Sequence, residues 1–457
     1  MASTYLTYTP SSAVTLGTKA TISFWVKRSK VDTSNTFQGI LASNGGWNDG
    51  TGFAIGWYAD ELYWYNLKDG NGYRTYPASL RKFRDINCWY HILYKIDTTQ
   101  SSVQDRITLY VNGEDQGDMA TNTGSGITAA VPNQNGTPYQ FFDSGDQHTI
   151  GRWGSAGAGS ANHLDGSLSY FYYIDGTAYD ASTFGSTDAT TGEWKINTSP
   201  TISSYGNNGF FILKDGNSVT DQSSNSNNFT VGGGTLTKTE DCPSNVFATF
   251  NTLFTKQAPS TTNMGNTRLD QSSNAWKSRL TTIGASSGKY YAEFKAGTIS
   301  GTKYNQFGVV HEDIVSSGTF QYVGDSTSGW GLNWGGNVNH NGSNVSGYTS
   351  FTTGDIIGVA MDLDNHKVYW RKNDGAWLNS GDPTSGSTGT GAQSLTTGKI
   401  YFFAASVYGN ECFANFGNGY FGTTAVSSAG TNASGNGIFE HDCPNGYTAL
   451  SSKGLNL

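Results

Sequence analysis

The sequence predicts an all-β protein made of two β-sandwich units in tandem. Short segments alternate apolar and polar residues with the two-residue period of strands, and no apolar pattern of helical period exceeds about two turns. The 60 glycines and 14% aromatic residues fit strands joined by tight turns. Asp-Cys-Pro occurs twice, at Cys242 and Cys443, so each copy is expected to close one sandwich. A chain of 457 residues is long enough for two or three domains.

The first unit is expected to span residues 1–240. Asn112-Gly113 predicts a type I′ hairpin turn, since both residues tolerate positive φ. Strands that turns interrupt at short intervals are typical of a two-sheet sandwich. The apolar faces of three predicted strands are Ile22, Phe24 and Val26; Ile107, Leu109 and Val111; and Leu168, Tyr170, Tyr172 and Ile174.

The order of these segments resembles that of concanavalin A-like laminin-G sandwiches. This resemblance covers about half of the chain. The residues that carry it are 22–28, 89–92, 109–113, 149–152 and 164–168. The following part is similar to modules in structural proteins of marine tailed bacteriophages, through residues 171–176, 184–185, 192–194, 214–216 and 221–229. The resemblance implies a sandwich that belongs to a phage particle.

The second unit is expected to span residues 276–457. Asp364-Asn365-His366 and Asn373-Asp374-Gly375 read as tight turns between strands. The unit resembles a SPRY domain, itself a concanavalin A-like sandwich, through residues 289–294, 329–332, 354–362, 368–373 and 413–417. The predicted fold class is therefore two concanavalin A-like jelly-roll sandwiches in tandem, with residues 241–275 as the connecting segment.

Charge and hydropathy exclude two classes of partner. The net charge of −8 argues against a nucleic-acid partner, because such proteins present basic faces. No apolar run of membrane-spanning length occurs, so no membrane insertion is expected. The first residues lack a basic segment followed by an apolar one, and we expect no signal peptide.

A glycan hydrolase is the strongest enzyme hypothesis, because many β-glucanases use this sandwich. Such enzymes need two carboxylates about 5–9 Å apart. The chain has eight Glu, and Glu440-His441-Asp442 holds its one Glu-x-Asp pair, with no third acid. No Gly-x-Ser-x-Gly elbow is paired with a placed His. We therefore expect no catalytic residues and no enzyme activity.

Calcium is the candidate metal for this chain. Laminin-G sandwiches often bind calcium at a rim, which implies Asp143, Asp146 and Asp165 as candidate ligands. A turn-forming Asp needs no metal, and that is the alternative. The seven His never occur at zinc-pair spacing, so no other cofactor is expected.

The four cysteines are too few for a disulfide framework. A bridge between Cys242 and Cys443 would link the two predicted closing segments. Free, buried thiols are the alternative, which the reducing cytosol of a bacterium favours.

Tryptophans in segments rich in glycine and asparagine are the candidate ligand-binding residues. They are Trp47, Trp57 and Trp64 in the first unit and Trp330 and Trp334 in the second. Flat apolar rings beside amide groups suit the faces of sugars. The alternative is that these rings fill the two sandwich cores; Trp47, which is expected in a loop, is the best exception.

These observations favour a non-enzymatic surface protein of a phage virion, either a head decoration or a subunit of a short appendage or tail fibre. Such a protein would assemble in the host cytoplasm and leave by lysis. It would contact other virion proteins, form a homo-oligomer and adhere to a host cell-surface glycan. The alternatives are a soluble carbohydrate-binding protein and a glycan depolymerase.

Overall fold

The computed structural model describes residues 4–31, 37–43, 52–65, 67–68, 74–75, 78–117, 132–137, 142–154, 162–214, 218–254, 256, 261–316 and 320–457. These ranges form an all-β fold, as predicted, in two compact units, Met1–Lys238 and Thr239–Leu457. No helix in the described ranges is long and apolar enough to cross a membrane. Single 3₁₀ turns occur at Gln104–Arg106, Ala181–Thr183, Glu312–Val315, Leu378–Ser380, Gly386–Thr388 and Gly454–Asn456.

The first unit is a sandwich of two six-stranded sheets, ordered β16-β1-β11-β3-β4-β5 and β10-β9-β8-β2-β12-β15. Its strands are β1 Tyr5–Tyr8, β2 Lys19–Arg28, β3 Phe37–Ser43, β4 Ala54–Tyr58, β5 Glu61–Tyr65, β6 Leu67–Lys68, β7 Arg74–Thr75, β8 Trp89–Asp97, β9 Ile107–Val111, β10 Glu114–Asp115, β11 His148–Ile150, β12 Gly166–Asp175, β13 Gly185–Thr187, β14 Trp194–Ile196, β15 Phe210–Ile212 and β16 Thr230–Gly233. Two short pairs, β6-β7 and β13-β14, stand apart from these sheets.

The inner faces of the two sheets enclose one core. Ile22, Phe24 and Val26 of β2 all lie in it, as their alternation predicts. The turn between β9 and β10 also has its predicted form, with φ of 51° at Asn112 and 78° at Gly113.

Strand β12 departs from its predicted alternation. Its register against β2 shifts between Ser169 and Tyr172, and Tyr170 has φ of 49°. This bulge reverses the side chains that follow, so Phe171 and Tyr173 enter the core while Tyr172 packs on the outer face. Tyr170, Tyr172 and Ile174 share this outer face, as predicted, whereas Leu168 packs against the inner core, so the prediction that all four share one face is wrong for Leu168.

The second unit contains an eight-stranded sheet, with the path β17-β18-β29-β20-β25-β26-β27 and β32 parallel to β20, and a six-stranded sheet, β19-β28-β21-β22-β23-β24. Its strands are β17 Thr261–Asn263, β18 Arg268–Asp270, β19 Trp276–Leu280, β20 Lys289–Ala296, β21 Tyr304–His311, β22 Gly329–Asn333, β23 Val338–His340, β24 Ser343–Val345, β25 Ile356–Asp362, β26 Lys367–Lys372, β27 Gln393–Ser394, β28 Tyr401–Tyr408, β29 Glu411–Asn415, β30 Tyr420–Phe421, β31 Thr424–Ala425 and β32 Thr448–Ala449.

The segment 241–275, expected as a connection, is built into the second unit. Strand β18 pairs with β29 of the eight-stranded sheet, and Phe250 and Leu269 lie in the core between the sheets. Phe247 packs on the outer face of the same sheet, beside Cys443 and Tyr447 of the C-terminal segment. The segment carries its own apolar residues, and they are buried here rather than exposed in a linker.

The first Asp-Cys-Pro copy also belongs to the second unit, so its assignment as the end of the first sandwich is wrong. The backbone N–H of Glu240 donates to the carbonyl of Asn418 at 3.2 Å. The Asn245 amide donates to Asn436 Oδ1 at 2.8 Å, and Phe247 forms an isolated antiparallel β-bridge with Ser451. The two Asp-Cys-Pro copies thus lie near the N-terminal and the C-terminal end of the same unit.

Candidate ligand-binding surface

Five partly exposed aromatic side chains gather at one end of the six-stranded sheet of the second unit. This aromatic patch consists of Trp276, Tyr304, Tyr322, Trp334 and Tyr408. Trp276 and Tyr304 each lie directly opposite Tyr408 on the neighbouring strand, with ring centroids 5.4 and 5.6 Å from it. Trp334 stacks on Tyr304 at 3.9 Å, and Tyr322 lies 5.3 Å from Trp276. Side chains directly opposite on adjacent strands share a face, so register brings the three strand residues together.

The segment that carries Tyr322 is tied to the outer face of this sheet. Ser278 donates from its hydroxyl to the carbonyl of Gln321 at 2.9 Å, and the N–H of Val323 donates to Ser406 Oγ at 2.9 Å. Two strand hydroxyls therefore fix the backbone on both sides of Tyr322.

A tight turn after β22 places Trp334. The side-chain oxygen of Asn333 accepts from the N–H groups of Gly335 and Asn337, at 2.9 and 3.2 Å. Gly336 has φ of 81°, where a side chain would be strained. The indole is therefore held by a preformed turn, and stacking on it requires little ordering of the chain.

The polar atoms of the patch are available to a ligand. Among the residues that the structure describes, none receives a hydrogen bond from the indole N–H groups or the tyrosine hydroxyls of the patch, and these atoms reach solvent. Asn274 and Lys303 flank Gly409 at the rim, where a Cβ on that glycine would lie 2.9 Å from Asn274 Oδ1 and 3.7 Å from Lys303 Cγ. The patch thus combines apolar rings with donors and acceptors on every side.

Of the tryptophans predicted from sequence to bind ligand, Trp334 belongs to the patch. Trp57 and Trp64 are core residues, 0% and 1% exposed, because they alternate in phase with the inward-facing Ile55 and Leu62. Their assignment to a binding surface is therefore wrong. Trp47 lies outside the described residues.

Trp330 lies apart from the patch. It is partly buried against the core and stacks on His340, with centroids 3.7 Å apart. His340 in turn is held by a 2.8 Å hydrogen bond between its Nδ1 and the Gly329 carbonyl. The indoles of Trp330 and Trp334 thus each pack against the core and have one face covered by a stacked ring. What separates Trp330 from the patch is that its stacked partner, His340, lies outside it.

Of the candidate calcium ligands, two lie at a turn, whereas Asp165 immediately precedes β12. Asp143 and Asp146 close one turn, in which the N–H of Asp146 donates to the Asp143 carbonyl at 3.3 Å. The carbonyl of Asp165 accepts from the N–H of Ser29 at 2.9 Å, and burial raises the pKa of its side chain. Within the described ranges, no three His, Cys, Asp or Glu side chains gather closely enough to hold a metal ion.

The two carboxylates of the Glu-x-Asp pair accept hydrogen bonds from two different loop positions. The Glu440 carboxylate accepts from the N–H and hydroxyl of Ser427, and the Asp442 carboxylate accepts from the N–H and hydroxyl of Thr431. Each acid therefore acts as a loop cap.

A buried Ser–His contact in the first unit also lacks the form of a catalytic pair. Ser23 Oγ lies 2.9 Å from His91 Nε2, while Nδ1 of the same ring accepts from the Trp194 indole N–H at 3.2 Å. The proton must then sit on Nε2, so the imidazole donates to the serine instead of taking its proton. Burial lowers the pKa of His91 to about 3, which keeps the ring neutral.

The four cysteine thiols are free. Cys412 and Cys443 are buried, whereas Cys88 and Cys242 are partly exposed. Burial raises the pKa of Cys443 to about 12, so this thiol is not a nucleophile at neutral pH.

Comparison with protein-family models gives one match in each unit. Residues 2–152 match the model of the concanavalin A-like lectin/glucanases superfamily, and residues 289–419 match the SPRY domain model. The chain carries a concanavalin A-like domain followed by a SPRY domain. Domains of these two families are typically binding modules, and neither match indicates a specific catalytic family.

Among solved structures, the SPRY domain of human HERC1 is 18% identical and covers 32% of this chain and 87% of its own, with a TM-score of 0.26. Stonustoxin is 16% identical and covers 37% of this chain, with a TM-score of 0.28. The chain spans 27% of the length of stonustoxin. The comparison with curated proteins gives no match.

Proposed function

We propose that this protein is a non-enzymatic adhesin on the surface of a tailed-phage virion, as a head decoration or a short appendage subunit. The aromatic patch of the SPRY domain carries the proposal, because exposed aromatic clusters mark recognition surfaces. The likeness of residues 171–229 to structural proteins of marine tailed phages supports the placement on a virion.

The chemistry of the remaining candidate groups supports binding without turnover. Glu440 and Asp442 cap loops, and the Ser23–His91 contact has the wrong proton placement for a base. Purified protein should therefore release no reducing sugar from host cell-surface polysaccharide. Turnover that disappears on changing Glu440 or Asp442 would contradict this proposal.

The two domains divide the work in this proposal. The first domain docks on other virion proteins through the segment around Trp47, and a homo-oligomer forms on the particle. Trp57 and Trp64 of the stretch 44–76 are buried and take no part in docking. The SPRY domain then faces outward with its patch.

Particle composition and two variants test the proposal. Mass spectrometry and immunogold labelling of purified virions should locate the protein on the particle surface. Trp47→Ala should lower its incorporation into virions, whereas Trp276→Ala should leave incorporation unchanged and lower adsorption of virions to host cells. Absence of the protein from virions would overturn the virion placement. Normal adsorption of Trp276→Ala particles would overturn adhesion through the SPRY domain.

A further inference from the structure

The arrangement of the aromatic rings in the patch also favours a particular class of ligand. We infer that the aromatic patch is a binding site for a neutral glycan of six-membered sugar rings, with Trp276 and Trp334 as its main stacking residues. This inference rests on the proposed adhesin function and names the ligand class of the same site.

The apolar part of the patch is entirely aromatic. Trp276, Tyr304 and Tyr408 stand side by side on three adjacent strands, and Trp334 extends the surface by stacking on Tyr304. Among the residues that the structure describes, the exposed large aliphatic side chains lie at other positions, such as Val315, Val345 and Ile400. Flat rings without branched aliphatic neighbours match the flat C–H faces of pyranoses.

The polar atoms of the patch favour a glycan over a protein as the ligand. Each of the five rings carries its own indole N–H or hydroxyl, and none of these has a partner among the described residues. A protein partner would have to place a hydrogen-bonding group opposite each of the five polar groups that it buries, since an unpaired buried polar group is destabilising. Sugar hydroxyls, by contrast, supply a donor or acceptor at each position.

Charge at the site favours a neutral ligand. Asn274 Oδ1 and the aliphatic stem of Lys303 lie beside Gly409 at the patch, and the Asp325 carboxylate accepts from the backbone N–H of Gln321, next to Tyr322. A polyanionic glycan would need several cations on this face. Asn274 and Lys303 together suit one or two hydroxyl contacts at the edge of a neutral ring.

The scaffold limits the ordering that binding requires. Three rings project from strands, and Tyr322 and Trp334 lie on backbone held by Ser278, Ser406 and Asn333. Because a preordered surface loses little conformational entropy, an aromatic platform of this kind can bind sugars without a deep pocket.

Titration of the full-length protein with neutral gluco-, manno- and galacto-oligosaccharides tests the inference. At least one series should bind and quench tryptophan fluorescence. Trp276→Ala and Trp334→Ala should each weaken that binding about tenfold or more, since lost stacking of about 1.4 kcal/mol corresponds to a factor of ten. Tyr408→Phe keeps the ring and should weaken it only a few-fold.

Tyr420→Ala is the matched control, because Tyr420 is a partly exposed aromatic residue of the same domain outside the patch. It should leave affinity unchanged. If an alanine variant fails to fold, Tyr304→Phe and Tyr408→Phe combined still test the polar contacts. No binding to any neutral series, capture of a host protein instead, or equal losses in Tyr420→Ala would overturn the inference.

The outcomes separate this inference from the adhesin proposal. Glycan binding by the purified protein with no protein on virions would uphold the site and reject the virion placement. Virion incorporation and patch-dependent adsorption without glycan binding would uphold the adhesin and reject the ligand class.

Discussion

At the residue scale, Glu293 holds the C-terminal segment of the SPRY domain on its eight-stranded sheet. The side chain is 0% exposed. Its carboxylate accepts from the backbone N–H groups of Glu440 and His441, both at 2.8 Å, from the Tyr291 hydroxyl at 3.2 Å and from the Asn415 amide at 3.3 Å. Four donors satisfy a buried acid that would otherwise be strongly destabilising.

The charge of this acid depends on pH near neutrality. Burial raises the pKa of Glu293 from 4.5 to about 7, although the hydrogen bonds from Glu440, His441 and Tyr291 favour the ionised form. Arg371 adds a positive charge nearby and donates to the Tyr291 hydroxyl at 3.0 Å. Because the pKa in the folded state lies above that in the unfolded chain, acid stabilises the fold through this group.

Glu293→Gln should remove part of the pH dependence of the SPRY domain. The stabilisation from a raised carboxyl pKa is full below about pH 4.5 and is lost as pH rises through about 7. The free energy of unfolding should therefore decrease from pH 5 to pH 8 more in the wild type than in the variant, by about 3 kcal/mol. Urea unfolding across that range measures the difference.

Glu114→Gln is the control, because the Glu114 side chain is 75% exposed. The variant Glu293→Gln should also be less stable at every pH, since its amide nitrogen would face a backbone N–H donor. If the free energy of unfolding changed with pH in the same way in the wild type and in Glu293→Gln, this carboxyl would not titrate between pH 5 and pH 8.

Sequence alternation could not identify either the buried acid or most of the patch. The alternation of residues 289–294 predicts the strand that carries Glu293. The backbone groups that donate to its carboxylate come from Glu440 and His441, and nothing in the strand encodes that pairing. Trp334 was predicted, whereas Trp276, Tyr304 and Tyr408 meet only through the register of strands far apart in sequence. Tyr304 and Tyr408 do lie at strand ends, a weak signal for surface rings.

At the element scale, two polar loops share one local hydrogen-bond pattern. In the first domain, the Asp221 carboxylate accepts from the N–H and hydroxyl of Ser223, at 2.8 and 2.7 Å. The N–H of Asn225 then donates to Ser223 Oγ at 3.2 Å. The Asn225 amide also donates to the carbonyls of Gly206 and Gly209, which ties the loop to the adjacent chain.

The SPRY domain repeats the pattern near its C-terminus. Asn432 Oδ1 accepts from the N–H and hydroxyl of Ser434, at 3.2 and 2.7 Å, and the N–H of Asn436 donates to Ser434 Oγ at 3.2 Å. The Asn436 amide donates to Thr448 Oγ1 at 2.8 Å and Ser451 Oγ at 3.1 Å. The spacing of Asp or Asn, Ser and Asn thus encodes a loop that clamps a neighbouring segment.

Asn436→Ala should destabilise the SPRY domain by about 2–4 kcal/mol, because Asn436 is 1% exposed and several partners would lose their hydrogen bonds. Asn225→Ala should act less strongly on the first domain, since its loop is only partly buried. Thermal unfolding measures both. Ser428→Ala, at an exposed site, should change nothing. An unchanged Tm for Asn436→Ala would reject the clamp.

The elements that sequence misassigned share a physical cause. The bulge at Tyr170 needs one residue at positive φ, which the alternation of residues 168–174 does not signal. Phe247, Phe250 and Leu269 of segment 241–275 are buried against other parts of the second unit, which the segment's own sequence does not specify. In both cases the outcome depends on partners from distant parts of the chain.

At the scale of the whole molecule, the domain boundary lies at residues 238–239 rather than at the end of a linker. Each described strand pair joins residues of one unit. The SPRY family match begins at residue 289, but the folded unit includes about fifty residues before it. These residues supply one edge of each of the two sheets and part of three hydrophobic clusters.

Fragments with two different start points test this boundary. Residues 239–457 should fold alone and unfold cooperatively in urea, as should residues 1–238, because each fragment retains its own core. Residues 276–457 should be less stable than 239–457 by about 5 kcal/mol or more, or fail to fold. That fragment loses β18 and the buried side chains of Phe247, Phe250 and Leu269, and each large apolar side chain removed from a core costs about 2–5 kcal/mol. Tryptophan fluorescence reports on both fragments, since Trp276, Trp330, Trp334, Trp370 and Trp377 are present in each. Equal urea midpoints for the two SPRY fragments would mean that segment 239–275 adds nothing to the fold, and would restore it as a connection.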